Sequence, residues 1–289
     1  LHAFKILNVP TVKTVEELRS HLSNLDTQAS LALVPTMGAL HQGHLALFQK
    51  AVDENAVTVV SIFVNPTQFN NVEDLDKYPR TLEADSALIK TISDEIVIFV
   101  PSISEVYPKG QNSKSYDFQG LERVMEGTFR EGHFDGVGTV VEKLLNLVKP
   151  DRAYFGEKDF QQLQIIRRLV ELKKIPVEII GCPIVREASG LARSSRNERL
   201  SKALRKEASF IFKTLNSVKK KFGTKNAQKV IDWAKQQFER HPDLKLEYII
   251  IAETDTLKPI KEKRPNTKYR VFTAVYAGEV RLIDNIALN

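Results

Sequence analysis

One cysteine, Cys182, stands among 289 residues. No internal disulfide can form, and a reducing compartment is the expectation. Thirteen glycines and twelve prolines are too few for a collagen-like or low-complexity chain. Uninterrupted apolar runs reach only about five residues, far from the ~18 that a membrane span needs. The first residues, LHAFKILNVP, offer neither a long apolar stretch nor a small-residue cleavage site, so no signal peptide is read there. What is present is ordinary for a soluble protein: 42% apolar and 27% charged residues argue against wholesale disorder. The length exceeds the ~100–200 residues of one domain, and two domains are expected. A cytoplasmic protein with no membrane partner is the starting expectation.

Charge is divided unevenly. Residues 1–183 carry 19 Lys+Arg against 24 Asp+Glu, net −5, whereas residues 184–289 carry 23 against 12, net +11. The last third therefore has an anionic ligand to meet, a nucleic acid or a phosphate-rich small substrate, or it simply presents a basic solvated face. Lys219–Lys221 and the stretch from Lys261 to Arg264 lack interleaved aromatics, which favours the solvated face for those two runs.

From residue 31 short β-branched runs alternate with helical periodicity, the pattern of βαβ units. Leu31–Val34, Val57–Val64, Glu95–Val100, Arg152–Phe155 and Val177–Ile180 read as strands. Helices are expected from about His44 to Asn55, with Leu45, Phe48 and Val52 on one face, over Thr81–Ser93 with Thr81 as a possible cap, from about Val137 to Val148, and over Asp159–Lys174. This predicts a Rossmann-like, doubly wound parallel sheet over residues 1–184. A smaller, basic α+β domain follows over 185–289, with two helices in 201–240 and strands at 245–252 and 269–284 that include an Ala277-Gly278 turn. In such a sheet, ligands bind beyond the carboxyl ends of the strands.

Four loops carry the candidate chemistry. The first, Pro35 to His44, joins the first core strand to its helix, where free backbone N–H groups and the helix dipole favour phosphate. It lacks the spacing of both a P-loop and G-x-G-x-x-G. His41 and His44, three apart, turn both imidazoles to one side, and Gly43 permits close approach of a ligand. Helix capping and a metal pair are the other uses of such histidines, although no third ligand stands at zinc-like spacing. The second loop, Asn65-Pro66-Thr67-Gln68-Phe69-Asn70, ends a strand with polar amides suited to a small polar substrate, or forms a plain Asx turn. The third, Gly156-Glu157-Lys158-Asp159-Phe160-Gln161-Gln162, places a point charge and an amide ahead of a helix that Asp159 could cap, unless Asp159 helps hold Mg²⁺. The fourth, Ser194-Ser195-Arg196-Asn197, follows Gly190 and could clamp a triphosphate as a closing loop.

The order HxGH, GEKD, SSRN resembles the HIGH and KMSKS elements of the nucleotidyltransferase superfamily that includes class I aminoacyl-tRNA synthetases. More narrowly, PTMGALHQGH, VVSIFVNPTQF, YPRTLEAD, MEGTFREGHFDGV, KPDRAYFGEKDFQQL and GLARSSRN, in that order over roughly residues 31–200, resemble the pantoate–β-alanine ligase family. The resemblance implies ATP-dependent ligation of (R)-pantoate with β-alanine to give pantothenate, AMP and pyrophosphate through a pantoyl adenylate, with Mg²⁺ accompanying ATP. It places Met37, Gly38, Ala39, Leu40, His41, Gln42, Gly43 and His44 along ATP, with His44 as a catalytic acid and His41 against the same phosphates. Lys158 would neutralise phosphate charge. Gly156, Glu157, Asp159, Val185, Arg193, Ser194, Ser195 and Arg196 would complete the nucleotide site. Gln68 and Gln162 would hold pantoate, with Gln68 also near β-alanine. The resemblance further implies a homodimer, acting on small molecules rather than nucleic acid, with the basic domain as a lid.

Arg193 departs from the family, which has an apolar residue before SSRN; it is expected to point to solvent or to add a phosphate contact. Two other readings remain open on the sequence: a different HxGH adenylyltransferase, or a nucleic-acid-binding protein using its basic half, which would bind with steep salt dependence and turn over no ATP.

Overall fold

The computed structural model describes residues 9–24, 26, 28–69 and 72–289. Most of the opening LHAFKILNVP segment and Asn70 lie outside the described residues. Contacts divide the chain into two compact units. The first takes in residues up to Glu122, Gly127–Gly156 and Ile165–Cys182; the second takes in Arg123–Glu126, Glu157–Gln164 and Pro183–Asn289.

The first unit is built on a six-stranded parallel sheet: β1 (Thr11–Val12), β2 (Leu31–Thr36), β3 (Val57–Ile62), β4 (Val97–Phe99), β5 (Arg152–Gly156) and β6 (Glu178–Cys182), in the order β1-β4-β3-β2-β5-β6. The chain works outward from β2 through β3 and β4, then returns to the other side of β2 with β5 and β6. The reversal between β2 and β5 is the topological switch point of a Rossmann-like sheet. Ala32 and Val34 of β2, Val60 and Ile62 of β3, Ile98 of β4 and Tyr154 of β5 form one face of the core with Phe48, Ala51 and Ile89. Leu33 and Val59, pointing the other way, are also fully buried, so both faces are covered, as near-continuous apolar strands require. The helices up to Cys182 are α1 (Val15–Ser23), α2 (Gln42–Glu54), α3 (Val72–Asp76), α4 (Leu82–Lys90), α5 (Ile103–Val106), the turn α6 (Glu126–Phe129), α7 (His133–Val148) and α8 (Phe160–Lys173), of which Glu126 and the first turn of α8 belong to the second unit.

α2 starts two residues earlier than its periodicity suggests, and its buried face is Leu47, Phe48 and Ala51, with Leu45 and Val52 only partly buried. Thr81 stands at the N-cap of α4 but makes no capping bond; its hydroxyl goes to Asp85 instead. Among the described residues no helix is long and apolar enough to cross a membrane.

The second unit holds α9 (Lys202–Glu207), α10 (Ser209–Phe222) and α11 (Ala227–Glu239), three helices rather than two. Against them lies an antiparallel sheet of β7 (Leu244–Glu253), β8 (Tyr269–Ala277) and β9 (Val280–Ala287) in sequential order. Gly278, at φ +57°, takes the left-handed conformation that the tight β8–β9 hairpin demands. Ile211, Leu215 and Val218 of α10 and Val230 and Ala234 of α11 pack in one core with Ile251, Val271 and Val275 of the sheet.

Candidate active site

The turn after β2 is held almost wholly by side chains. Gly38 N–H donates to Thr36 Oγ1 at 3.3 Å. Ala39 N–H and Leu40 N–H donate to the two oxygens of Asp85 at 3.1 and 2.8 Å. Asp85 is buried, and Thr81 Oγ1 adds a third bond at 3.2 Å. These amides, expected to be free for phosphate, are therefore engaged, because a carboxylate from α4 reaches beneath the turn. Gly38 (φ +81°) and Ala39 (φ +50°) are both left-handed. For alanine that conformation costs ~1–2 kcal/mol, and the paired bonds to Asp85 hold it.

The two histidines then close on each other. His41 is the N-cap of α2, and its Nδ1 accepts from Gly43 N–H at 3.0 Å; His44 Nδ1 accepts from His41 N–H at 3.2 Å. The rings lie 4.1 Å apart between centroids. The capping use left open by the sequence is therefore made by both histidines. A neutral imidazole that accepts at Nδ1 carries its proton on Nε2, so both rings have an Nε2–H donor opposite the capping nitrogen. Among the described residues no third metal ligand joins them; the one metal-like grouping of His and carboxylates is Glu207, His241 and Asp243 in the second unit.

In the loop after β3, Asn65 makes tertiary bonds rather than a plain Asx turn. Its Nδ2 donates to Gly136 O and Gln68 Oε1, each at 3.2 Å, and its Oδ1 accepts from Tyr107 Oη at 2.6 Å and Thr67 Oγ1 at 3.1 Å. Burial pushes the Tyr107 phenol above its ordinary range, against its hydrogen bonds with Thr67 and with the Asn65 Oδ1 to which it donates. Gln68 Nε2 lies 2.6 Å from Met37 Sδ, which brings this loop to the β2 turn. His133 Nδ1 donates to Gln68 O at 3.0 Å and its Nε2 meets Arg130 Nη1 at 3.0 Å. A Cβ on Gly136 would stand 2.3 Å from Thr67 O, so only glycine lets α7 approach this loop.

In the second unit Glu157–Asp159 form a single 3₁₀ turn ahead of α8. Lys158 Nζ lies 3.6 Å from Asp159 Oδ1. Among the described residues Asp159 makes no capping bond. Gln161 is committed to structure, donating to Val124 O at 2.7 Å and accepting from Glu126 N–H at 3.0 Å. Gln162, half-buried, has no side-chain hydrogen bond among the described residues. Glu126 is tied to Arg281 by two bonds of 2.8 Å and to the Tyr248 hydroxyl at 2.9 Å.

The SSRN segment is equally braced. Arg193 N–H donates to Val185 O at 2.9 Å, and Ser194 caps the Ser195–Arg199 turn by accepting from Arg196 N–H. Buried Asn197 donates to Ala192 O and Glu187 Oε1, both at 3.0 Å. Burial raises the Glu187 carboxyl, but Arg205, Asn197 and the charge of Arg193 outweigh it and hold the group below its ordinary range. Arg193 is half-buried and acts on Glu187, a use that neither sequence expectation named. Asp85, His133 and Asn197 carry no sequence signal of their own; each sits inside or beside a quoted motif, but its partners are distant in the chain or belong to the backbone.

The sheet and its turn define the class first: a Rossmann-like α/β protein of the HxGH type. A family model described as pantoate-beta-alanine ligase matches residues 10–287. The pantothenate synthetase of Christiangramia forsetii is 55% identical over 260 residues, covering 90% of this chain and 92% of that protein. That of Flavobacterium psychrophilum is 53% identical over 264 residues, covering 91% and 94%. The crystal structure of pantothenate synthetase from Thermus thermophilus superposes with a TM-score of 0.88 at 40% identity, over 96% of this chain and 99% of that one. Pantoate-beta-alanine ligase from Francisella tularensis, complexed with beta-gamma ATP and beta-alanine, gives 0.79 at 37% identity, over 97% and 98%. The chain belongs to the pantoate–β-alanine ligase family and is a ligase forming a C–N bond.

Proposed function

We propose that the chain makes pantothenate in two displacements. A carboxylate oxygen of (R)-pantoate attacks the α-phosphorus of ATP, pyrophosphate leaves, and pantoyl adenylate forms. The amine of β-alanine then attacks the acyl carbon, the C–N bond forms, a proton is lost from nitrogen, and AMP departs. The observation that carries this reading is the reciprocal capping of His41 and His44, which fixes the orientation of both imidazoles at the carboxyl end of β2. The ATP and β-alanine in the Francisella complex support it.

Adenylyl transfer asks little covalent chemistry of a protein, mainly alignment and cancellation of charge developing on the α-phosphate and the leaving pyrophosphate. Met37–His44 line ATP, with His44 Nε2–H as the acid and His41 Nε2–H against the same phosphates. Lys158 neutralises phosphate charge in the first step. Gly156, Glu157, Asp159, Val185 and Arg193–Arg196 belong to the nucleotide site. Gln68 and Gln162 bind pantoate, and Gln68 also serves β-alanine. The residues present fit Mg²⁺: Asp159 offers a half-exposed carboxylate with no capping duty, an oxygen donor of the kind that metal takes together with phosphate oxygens. Magnesium supplies charge neutralisation on the triphosphate when bound. A cytoplasmic homodimer completes the proposal; the single buried cysteine is consistent with a reducing compartment.

The test is AMP release measured with ATP, pantoate and β-alanine, and with each omitted in turn. Steady turnover is expected only with all three. AMP formation independent of pantoate, or nucleic-acid binding without ATP turnover, would refute the proposal.

A further inference from the structure

The last strand reaches the lysine turn through one side chain. Asn285 of β9 is 2% exposed, and its Nδ2 donates to two consecutive carbonyls, Glu157 O and Lys158 O, each at 2.9 Å. The amide cannot be turned the other way. Its Oδ1 accepts from Arg270 Nη1, and a flipped amide would set oxygen against two carbonyls and nitrogen against a guanidinium. Arg270 is itself buried, stacked 3.9 Å over the Phe160 ring at the head of α8, and its Nη2 donates to Glu157 Oε2 at 3.1 Å. Burial lowers the Arg270 guanidinium from its ordinary value, with Glu157 opposing that shift. Asn285 thus belongs to a set of bonds that grips Glu157 by both backbone and carboxylate, and Lys158 by its backbone, although the buried Arg270 Nε has no partner among the described residues.

The neighbouring residue works in parallel. Asp284 Oδ1 accepts from Asn285 N–H at 2.7 Å, and the Asp284 carboxylate holds Arg186 by two bonds of 2.6 and 2.9 Å. Arg186 also donates to Gly190 O at 3.1 Å, in the loop that leads to Ser194. The Asp284-Asn285 pair therefore anchors both the lysine turn and the loop before SSRN. Packing alone does not require so much buried polarity, because desolvating each of these groups costs free energy that only its bonds offset.

We propose that Asn285 is a positioning residue for Lys158, fixing the backbone from which the ammonium reaches the phosphates of ATP. The proposal rests on Lys158 acting in adenylate formation. A long, flexible lysine side chain works as a point charge only when its stem starts from a fixed place. Two donors from one planar amide to consecutive carbonyls fix both the position and the tilt of that start.

The test is a double-mutant cycle on the full chain, with Asn285→Asp, Lys158→Ala and the double variant, read by pantoate-dependent ATP–pyrophosphate exchange. Asn285→Asp keeps the acceptor for Arg270 and loses both donors. We expect Asn285→Asp to slow exchange roughly 10- to 100-fold, the scale of two lost side chain-to-backbone hydrogen bonds. Lys158→Ala should slow it by more than ~10²-fold. The double variant should be no slower than Lys158→Ala, because the two residues act as one. A residue that served only the fold would slow exchange by the same factor in either background. Losses that multiply, or wild-type exchange in a folded Asn285→Asp, overturn the proposal. Wild-type exchange in Lys158→Ala instead removes the reading of Lys158 itself, which that single variant reveals separately. Asn285→Ser, uncharged and smaller, enters the same cycle should the aspartate variant not fold.

Discussion

Replacing Asp85 by asparagine tests the architecture of the β2 turn with a nearly isosteric change. One oxygen can still serve Leu40 N–H, now at 2.8 Å from Asp85 Oδ1. The other becomes an NH₂ facing Ala39 N–H, now at 3.1 Å, and the Thr81 hydroxyl, which can rotate to accept. One charge-assisted bond is therefore lost and a buried amide is left facing a donor, which costs about 1–3 kcal/mol. For a domain of this size class each kcal/mol lowers Tm by about 2–4 °C, so a fall of roughly 2–12 °C is expected. Ala39 loses the contact that offsets its left-handed backbone, and the turn relaxes away from the geometry that aims the histidines. Since ~1.4 kcal/mol is tenfold in an equilibrium constant, KM for ATP should rise about 5- to 100-fold while KM for β-alanine changes little. Differential scanning fluorimetry and initial rates of AMP release at varied ATP measure both. Wild-type Tm and wild-type KM for ATP in Asp85→Asn would refute the claim that this carboxylate builds the turn.

Three further outcomes are expected. His44→Asn keeps an acceptor for His41 N–H but removes the Nε2 donor, so stability should hold while kcat falls ~10²- to 10³-fold; an unimpaired kcat would remove His44 from the chemistry. Gly136→Ala places a methyl against Thr67 O, an overpacking worth ~1–3 kcal/mol, and should lower Tm and raise KM for pantoate by shifting Gln68; unchanged values would contradict the close approach. Glu187 titrates below its unfolded value of 4.5, so its contribution to stability is complete above that pH and is lost as pH falls through the folded value. Chemical denaturation of Glu187→Gln across that acid window should show a shallower loss than wild type, and equal slopes would count against the Arg205 pairing.

What could be read from the sequence follows from the range of the interactions involved. Val57–Ile62 and the apolar stripe of α7 announce themselves because apolar periodicity is local. The start of α2 is displaced by two residues because its cap is a histidine, an unusual capping residue. Asp85 in isolation reads as an acidic residue near the start of a helix, which the dipole favours without further cause; its partners Ala39 and Leu40 are 46 and 45 residues away. Asn285 reaches Lys158 across 127 residues, and nothing in a lone buried-strand asparagine predicts that. His41, His44 and Lys158 stand out in the sequence because they sit in glycine-punctuated loops at strand ends, and Gln68 because its strand ends in polar amides. The side chains beneath them, which set their orientation, carry no such punctuation.

In the proposed reaction order, pantoate is activated as an adenylate before β-alanine reacts. Exchange of labelled pyrophosphate into ATP, with pantoate present and β-alanine withheld, measures that step directly. Exchange is expected to depend on pantoate and to be abolished without it. Exchange that appears only when β-alanine is added would rule that order out.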